Sequence, residues 1–381
     1  MDQREAFIAD WLSGEWTMTE LAERYGISRK TAHKWVNRYR ADPVNGLAEL
    51  SRAPHTHGRR ISEATEEAIV GLRRRYPRWG PKKLQPWLSE REPAVVWPAP
   101  STIGDVLKRE GLSHGRRRVR YVVPLTQPLV AAQAPNEVWT ADFKGWFRTA
   151  DGTRCDPLTV IDACTRFVLC CRITVPSDAG VRPWFERTFR EYGLPRVFRT
   201  DNGTPFASSG AGQLTGLSVW WLKLGIQLDR IAPGHPEQNG RHERFHRTLQ
   251  EEAIMPAAAT AVQQQRRFNR VRREFNQERP HEALGQRPPA RLYVPSVRPY
   301  PARLEDAWYD AQHEVRRVKD KGQIKWVGEE VFVCEALRGE LVGLFETARG
   351  DWLVRFMHVE LGRIDRKTRR FRAAWHARRL G

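Results

Sequence analysis

The run VWTADFKGWF (residues 138–147), followed by PLTVIDACTRFVLCCRIT (157–174) and RVFRTD (196–201), decides the fold. All three are rich in β-branched and aromatic residues and are predicted as strands, the last ending at the turn signal Asn202-Gly203. A helix is expected from about 178 to 192, and another near 218–224 leads through Gly225 into IQLDRIA (226–232). A further helix should begin near Asn239 and run past Leu249, before the long basic helix VQQQRRFNRVRREFN (262–276). Strands alternating with helices predict an α/β core, a sheet with helical cover. Cys170 and Cys171, adjacent on one strand, would point to opposite faces. With Cys155, Cys164 and Cys334 they form an odd set without a C-x-x-C pair, which argues against a disulfide framework or a cysteine-rich zinc module.

Upstream, residues 4–40 read as three short helices. Gly26 stands where one helix stops and Ser28 where the next is N-capped, the turn of a helix-turn-helix unit. The second of these helices would expose Arg29, Lys30, His33, Lys34 and Arg38 to phosphates and base edges in a major groove. A linker rich in Pro, Gly and Asn follows, and its His55 and His57 have no thiolates nearby for a zinc finger. A second helical module is marked by Ala64, Ile69, Leu72 and Tyr76, by Leu84 and Leu88, and by Ile103, Val106 and Leu107 on a helix capped by Ser101. After it, Arg116, Arg117, Arg118 and Arg120 form a positive run suited to a duplex backbone. At the other end IKWVGEEVFV (324–333), ELVGLFE (340–346) and DWLVRFMHVELGRID (351–365) alternate apolar and polar residues between Gly turns, predicting a small antiparallel barrel or sandwich.

The chain has 381 residues, and at about 150 residues per domain two to four domains are expected. Lys plus Arg number 64 against 45 Asp plus Glu, a net charge of +19 that suits a polyanion. Mean hydropathy is −0.62, and no apolar run approaches the roughly 18 residues that cross a bilayer, which excludes a membrane-spanning protein. The N-terminus lacks an apolar export segment, so a cytoplasmic, nucleoid-associated location is expected.

Three acids stand where an α/β core would converge them: Asp142 on the first strand, Asp201 at the end of RVFRT, and Glu243 on the helix after Asn239-Gly240. Clustered carboxylates repel one another unless cations intervene, which points to hard divalent metals. Two such ions can activate a nucleophilic oxygen and stabilise a leaving oxygen at phosphorus.

At these residues the chain resembles the integrase-core transposases of bacterial insertion sequences, relatives of retroviral integrases with a ribonuclease-H-like catalytic fold. WTADF (139–143), RTDNGTPF (199–206), HPEQNGRHERFHRTLQEE (235–252) and FNQERPHEALGQRPPARLY (275–293) carry the resemblance, in family order. The Asp201–Glu243 gap is longer than the family's usual spacing, and ASSGAGQ (207–213) is expected to absorb the excess as a loop. The triad is uninterrupted, so an inactivated core is not indicated. The chain thus divides into helix-turn-helix (1–41), linker (42–60), second helix-turn-helix (61–113), basic linker (114–134), integrase catalytic core with trailing helix (135–293) and small β-barrel (294–381). The resemblance implies a DDE transposase that binds element ends, hydrolyses phosphodiester bonds and joins 3′-hydroxyls to target DNA. Asp142, Asp201 and Glu243 would be both the catalytic residues and the ligands of two Mg2+, with Mn2+ as substitute.

Lys223, Arg241, His242, Arg244, His246 and Arg247 flank the third acid and are read as phosphate-facing. His242 and His246 have zinc-compatible i, i+4 spacing, but no third ligand appears, and a solvated basic face is the reading. Asp162 is read as a hairpin-turn residue rather than a fourth carboxylate, Glu237 as a loop acid, and Asp156 and Asp229 as solvated strand-edge residues. Asn276, Arg279, Pro280 and His281 are expected to lock a turn. Cutting two ends in concert implies a homo-oligomer, with the basic helix 262–276 and the C-terminal Arg363, Arg366, Lys367, Arg369 and Arg370 as candidate contacts. The alternatives are a non-catalytic DNA-binding regulator with the same helix-turn-helix modules, and a structure-specific ribonuclease.

Overall fold

Three helices open the computed structural model: α1 (Gln3–Ser13), α2 (Met18–Arg24) and α3 (Arg29–Ala41). The structure describes residues 3–49, 61–113, 129–232 and 240–374, and the chain divides into two compact units, 1–63 and 64–381. In the first unit Phe7, Ile8, Leu21, Ala22, Ala32 and Val36 form the core. Thr17 and Glu20 cap α2 reciprocally. Gly26 turns the chain at φ +62°, a left-handed conformation that costs glycine least, and the Ser28 hydroxyl accepts the Thr31 N–H to start α3.

The second unit begins with α4 (Glu63–Arg75), α5 (Pro81–Arg91) and α6 (Pro100–Arg109). Ser101 is not the cap of α6: Ala99 holds that position and Pro100 the first turn, where its missing N–H costs nothing. Tyr76 stacks on Trp79 and its hydroxyl donates to Glu278, while Lys82–Glu282 and Arg291–Glu90 ion pairs also join this module to the segment after the core.

The core sheet is built from β1 (Val138–Phe143), β4 (Pro157–Asp162), β5 (Val168–Ile173), β6 (Val197–Thr200) and β7 (Gln227–Arg230), in the order β5-β4-β1-β6-β7; a short ribbon, β2 (Phe147–Arg148) with β3 (Arg154–Cys155), lies between β1 and β4 in sequence. β1 runs antiparallel to β4 and parallel to β6. Period-two alternation sorts side chains between the faces. Trp139, Ala141 and Cys170 pack with α7 (Asp178–Tyr192) and α8 (Gly216–Lys223). Ile161, Val168 and Cys171 pack on the other face with α9 (Gly240–Leu249) and α10 (Ala261–Gln277). The two adjacent cysteines do face opposite ways.

β5 is an outer strand, and α10 covers its open edge with side chains. Asn276 accepts the Val168 N–H (2.8 Å) and donates to the Val168 C=O (3.0 Å). Gln265 accepts the Ile173 N–H (2.8 Å) and donates to the Cys171 C=O (2.9 Å), and Arg272 donates to the Leu169 C=O (2.6 Å).

The C-terminal part is sheet-rich: β8 (Glu314–Arg317), β11 (Leu341–Glu346), β12 (Trp352–Phe356), β13 (Val359–Ile364) and β14 (Phe371–Ala373) pair in the order β14-β13-β12-β11-β8. β9 (Gln323–Trp326) and β10 (Glu329–Phe332) form a separate ribbon. Among the described residues no pairing joins β14 to β8, so the expected barrel is not closed by hydrogen bonds. The stretch 207–213 is more than slack: Ala211 and Leu214 share the buried cluster of Val342, Leu344 and Leu361. A side chain on Gly212 would meet Leu361 and Val359, so this insertion is where the core receives the C-terminal sheet. Among the described residues no helix is long and apolar enough to cross a membrane.

Candidate active site

Asp142 leaves the carboxyl end of β1 on the α9 side of the sheet, opposite Thr159 in the β1–β4 register. Its carboxyl is pushed up to about 7, first by burial and then by the charges of Asp201 and Glu243; the Phe143 N–H and Lys144 act the other way. Asp201 follows the last residue of β6, the neighbour of β1, and its Oδ1 accepts the Gly203 N–H at 3.2 Å. Glu243 is exposed in the first turn of α9. Two acids distant in sequence thus act on the Asp142 carboxylate. Among the described residues no three His, Cys, Asp or Glu side chains form a ready-made metal-binding group.

His242 and His246 are buried, not solvated. With Phe245 and Leu249 they make the i, i+3, i+4, i+7 face that α9 turns toward the sheet. The Thr159 hydroxyl donates to the Asp142 C=O (3.0 Å) and lies 2.8 Å from His246 Nε2. Its one proton is thereby used, so Nε2–H of His246 donates to Thr159 and the bare Nδ1 faces Asp142 Oδ2 at 4.0 Å. Burial, aided by His242 and Lys144, holds His246 down at about 2, so this contact is no ion pair. His242 Nε2 donates to the Thr159 C=O at 3.3 Å, and burial holds that ring at about 3.

Models of an integrase core domain match residues 132–236 and 224–289. A homeodomain-like domain matches 31–107, a helix-turn-helix domain 3–55, and the C-terminal domain of the IS481 family transposases 313–372. An uncharacterized 39.2 kDa protein of insertion element IS476 from Xanthomonas euvesicatoria is 30% identical over 293 residues, covering 74% of this chain and 79% of that relative. The chain belongs to the integrase-core transposases of bacterial insertion sequences. A second relative of this transposase, an uncharacterized 31.7 kDa protein of insertion element IS407 from Burkholderia multivorans, is 30% identical over 184 residues, 46% of this chain and 62% of that protein. Among solved structures, the HTLV-2 integrase catalytic core domain in complex with magnesium is 14% identical with a TM-score of 0.34, covering 43% of this chain and 99% of that one. A simian T-cell lymphotropic virus intasome in complex with the PP2A regulatory subunit B56 gamma gives 12% identity and a TM-score of 0.38, over 77% of this chain and 97% of that one.

Other expected residues of this transposase fall as follows. Arg29, Lys30, His33 and Lys34 are exposed on α3 and Arg38 is half-buried; all but Arg29 line a shallow hollow away from Ala32 and Val36. Arg244 and Arg247 are exposed on α9. Arg116, Arg117, Arg118, Arg120 and Glu237 lie outside the described residues, as does the side chain of Arg241. Lys223 does not flank Glu243: it pairs with Glu340 at 2.9 Å, tying α8 to the C-terminal sheet. Asp162 is fully buried and accepts the N–H groups of Asn136 and Thr165 and the Thr165 hydroxyl, each at 2.7 Å, which makes it a turn latch. Asp156 and Asp229 are paired and largely covered: Arg154, two residues upstream, holds Asp156, and Arg199, opposite on the neighbouring strand β6, holds Asp229. Arg279 pairs with Glu252, and His281 is sequestered, in keeping with a locked turn. Residues overlooked in sequence are Thr159, Lys144 and Arg230. Arg230 ends β7, has an unpartnered buried Nη1, and feels the charge of Asp201. None of the three had a signal in the sequence, whereas the burial of His242 and His246 did: their place on the apolar period of α9.

Proposed function

We propose that this transposase binds the ends of its element, hydrolyses the phosphodiester bond there and joins the freed 3′-hydroxyls to target DNA, using Asp142, Asp201 and Glu243. The observation that carries this reading is the Asp142 carboxyl at the end of β1, pushed up to about 7 by burial and by the charges of Asp201 and Glu243 brought beside it. The chemistry of the donor set suits divalent cations, because carboxylate oxygens are the ligands a hard ion prefers. Two Mg2+, or Mn2+, held by these acids would supply Lewis acidity at the attacked phosphorus. The chain's own residues do the rest. Thr159 and His246 hold the end of β1 against α9, while Lys144 and Arg230 bring positive charge beside Asp142 and Asp201. Water would be the first nucleophile and the DNA 3′-hydroxyl the second, with no covalent protein intermediate.

Arg29, Lys30, His33, Lys34 and Arg38 on α3, the Arg116–Arg120 run, and Arg241, Arg244 and Arg247 would bind double-stranded DNA, with the domain limits given from sequence. The chain would work as a homo-oligomer on paired ends, on chromosomal DNA in the cytoplasm. The test is strand transfer from a pre-cut end duplex in Mg2+ or Mn2+. Asp142→Asn, Asp201→Asn and Glu243→Gln should abolish the reaction and keep end binding, whereas Glu237→Gln should remain active. Strand transfer by any of the first three rejects the assignment. That no three His, Cys, Asp or Glu side chains among the described residues form a ready-made metal group is the observation behind the alternative, a non-catalytic DNA-binding regulator. Wild-type protein that binds ends but never transfers them would decide for it.

A further inference from the structure

On the far side of α9 from Asp142, a cavity of about 270 Å³ opens where the second helical module meets the core. Lys83 of α5, Arg166 of the β4–β5 turn, Arg244 and Arg247 of α9, and Arg279 after α10 line it, against one carboxylate, Glu282. Arg279 is engaged by Glu252 at 2.5 Å, and Glu282 reaches out to Lys82 at 3.6 Å. Among the described residues Lys83, Arg244 and Arg247 have no carboxylate in ion-pair range. Like charges gathered in a half-closed space with so little compensation are an anion site waiting for its anion. The space exceeds a phosphate group, since a single water takes roughly 30 Å³.

We infer that this cavity seats one phosphate of a DNA duplex, held jointly by Lys83, Arg244 and Arg247. The inference rests on the DNA-binding reading above and adds the second helical module to the surface that grips DNA beside Glu243. A polymer rather than a free anion is the occupant because Arg244 and Arg247 are exposed and extend the cavity along α9, one turn from Glu243. Two of the groups lining the cavity, Lys83 and His281, feel the positive charge of their neighbours in addition to burial. Lys83 is pulled down to about 8, by burial and then by Arg279, with Glu252 and Glu282 opposing. His281 is held at about 3, by burial and then by Lys83, Arg279 and Arg166. An anion among them reverses these forces. It also gives the duplex a role in joining two domains: one phosphate would be shared between α5 and α9.

The test uses the full chain with a random-sequence duplex, so that specific end recognition is not required. Lysines are reductively methylated with ¹³C, and the Lys83 signal is assigned by its loss in Lys83→Arg. Its midpoint, near 8 in the free protein, should rise by about a unit or more when the duplex is bound, and less with inorganic phosphate at equal phosphate concentration. In anisotropy titrations Lys83→Gln and Arg247→Gln should each weaken duplex binding about eightfold at 0.1 M salt and lower the salt slope by about one, as loss of one phosphate contact requires. Lys83→Arg should bind like wild type. A duplex that binds while the Lys83 midpoint stays put, or variants with an unchanged salt slope, overturn the site. An equal response to inorganic phosphate assigns it to free anions and overturns the DNA assignment. Absence of any duplex binding by wild type overturns the broader DNA reading instead, and anisotropy alone reveals it.

Discussion

Nδ1 of His246 stands 4.0 Å from Oδ2 of Asp142, and Thr159 ties both residues together by accepting from the His246 ring and donating to the Asp142 carbonyl. The strand that carries the first acid and the helix that carries the third are thereby registered against each other at one hydroxyl. Thr159→Val should leave an imidazole N–H without its acceptor and remove the hydroxyl donor from the Asp142 carbonyl, costing about 1–3 kcal/mol in thermal unfolding. Strand transfer should fall by tenfold or more while duplex affinity stays within twofold, and Thr159→Ser should restore both. A valine variant of full activity would show the hydroxyl to be packing alone.

The raised carboxyl of Asp142 sets a pH dependence. Its folded value, about 7, lies above the ordinary carboxylate range, so its contribution to stability is complete below that range and is lost as pH rises through 7. In EDTA, Asp142→Asn should therefore gain melting temperature over wild type progressively from pH 4 to pH 8. The buried histidines have the opposite sign: His242 and His246 lie below the unfolded value, so stability falls as pH drops below about 6.5. That loss is common to both proteins and cancels in the difference. Adding Mg2+ or Mn2+ at pH 8 should raise wild type more than the variant. Melting curves that remain parallel at every pH would contradict this account.

Asp162 offers a control for what a buried acid does when it is a latch. Burial outweighs its three donors and holds its carboxyl above the usual range. Asp162→Ala should unfold about 2–4 kcal/mol more easily, since three polar groups lose an acceptor. At a temperature where the variant is folded, the Mg2+ concentration for half-maximal strand transfer should be unchanged. A shifted metal requirement would make Asp162 a ligand.

Asn276→Leu tests the seam between α10 and the sheet. It removes both partners of the Val168 backbone, with an expected loss of about 2 kcal/mol and no change in the salt dependence of duplex binding. Denaturant unfolding measures the first and anisotropy the second.

Much of this architecture is written locally. The alternation that sends Cys170 and Cys171 to opposite faces, and the Gly26–Ser28 turn with its cap, need only neighbouring residues and were legible. Asp142 was expected on a strand and Asp201 just after one, and those two strands lie side by side. Partners that come from afar were not legible. Lys223 resembles any surface lysine until Glu340 appears beside it, more than a hundred residues on. His242 and His246 look solvent-loving by composition, yet their period matches Phe245 and Leu249, and period decided their side. Pro100 displaced Ser101 as the start of a helix for a geometrical reason, its fixed φ, that hydroxyl capping does not weigh.

The helix that lies on β5 has a consequence for solubility. An outer strand ordinarily presents a ladder of free amides and carbonyls, a template on which another chain can extend the sheet. Here Asn276, Gln265 and Arg272 occupy those rungs with side-chain amides and a guanidinium, so α10 acts as a surrogate strand that no further strand can follow. Growth of sheets from one molecule to the next is closed off on that flank. The homo-oligomer on DNA proposed above would be protected there against the most hazardous way of bringing its copies together.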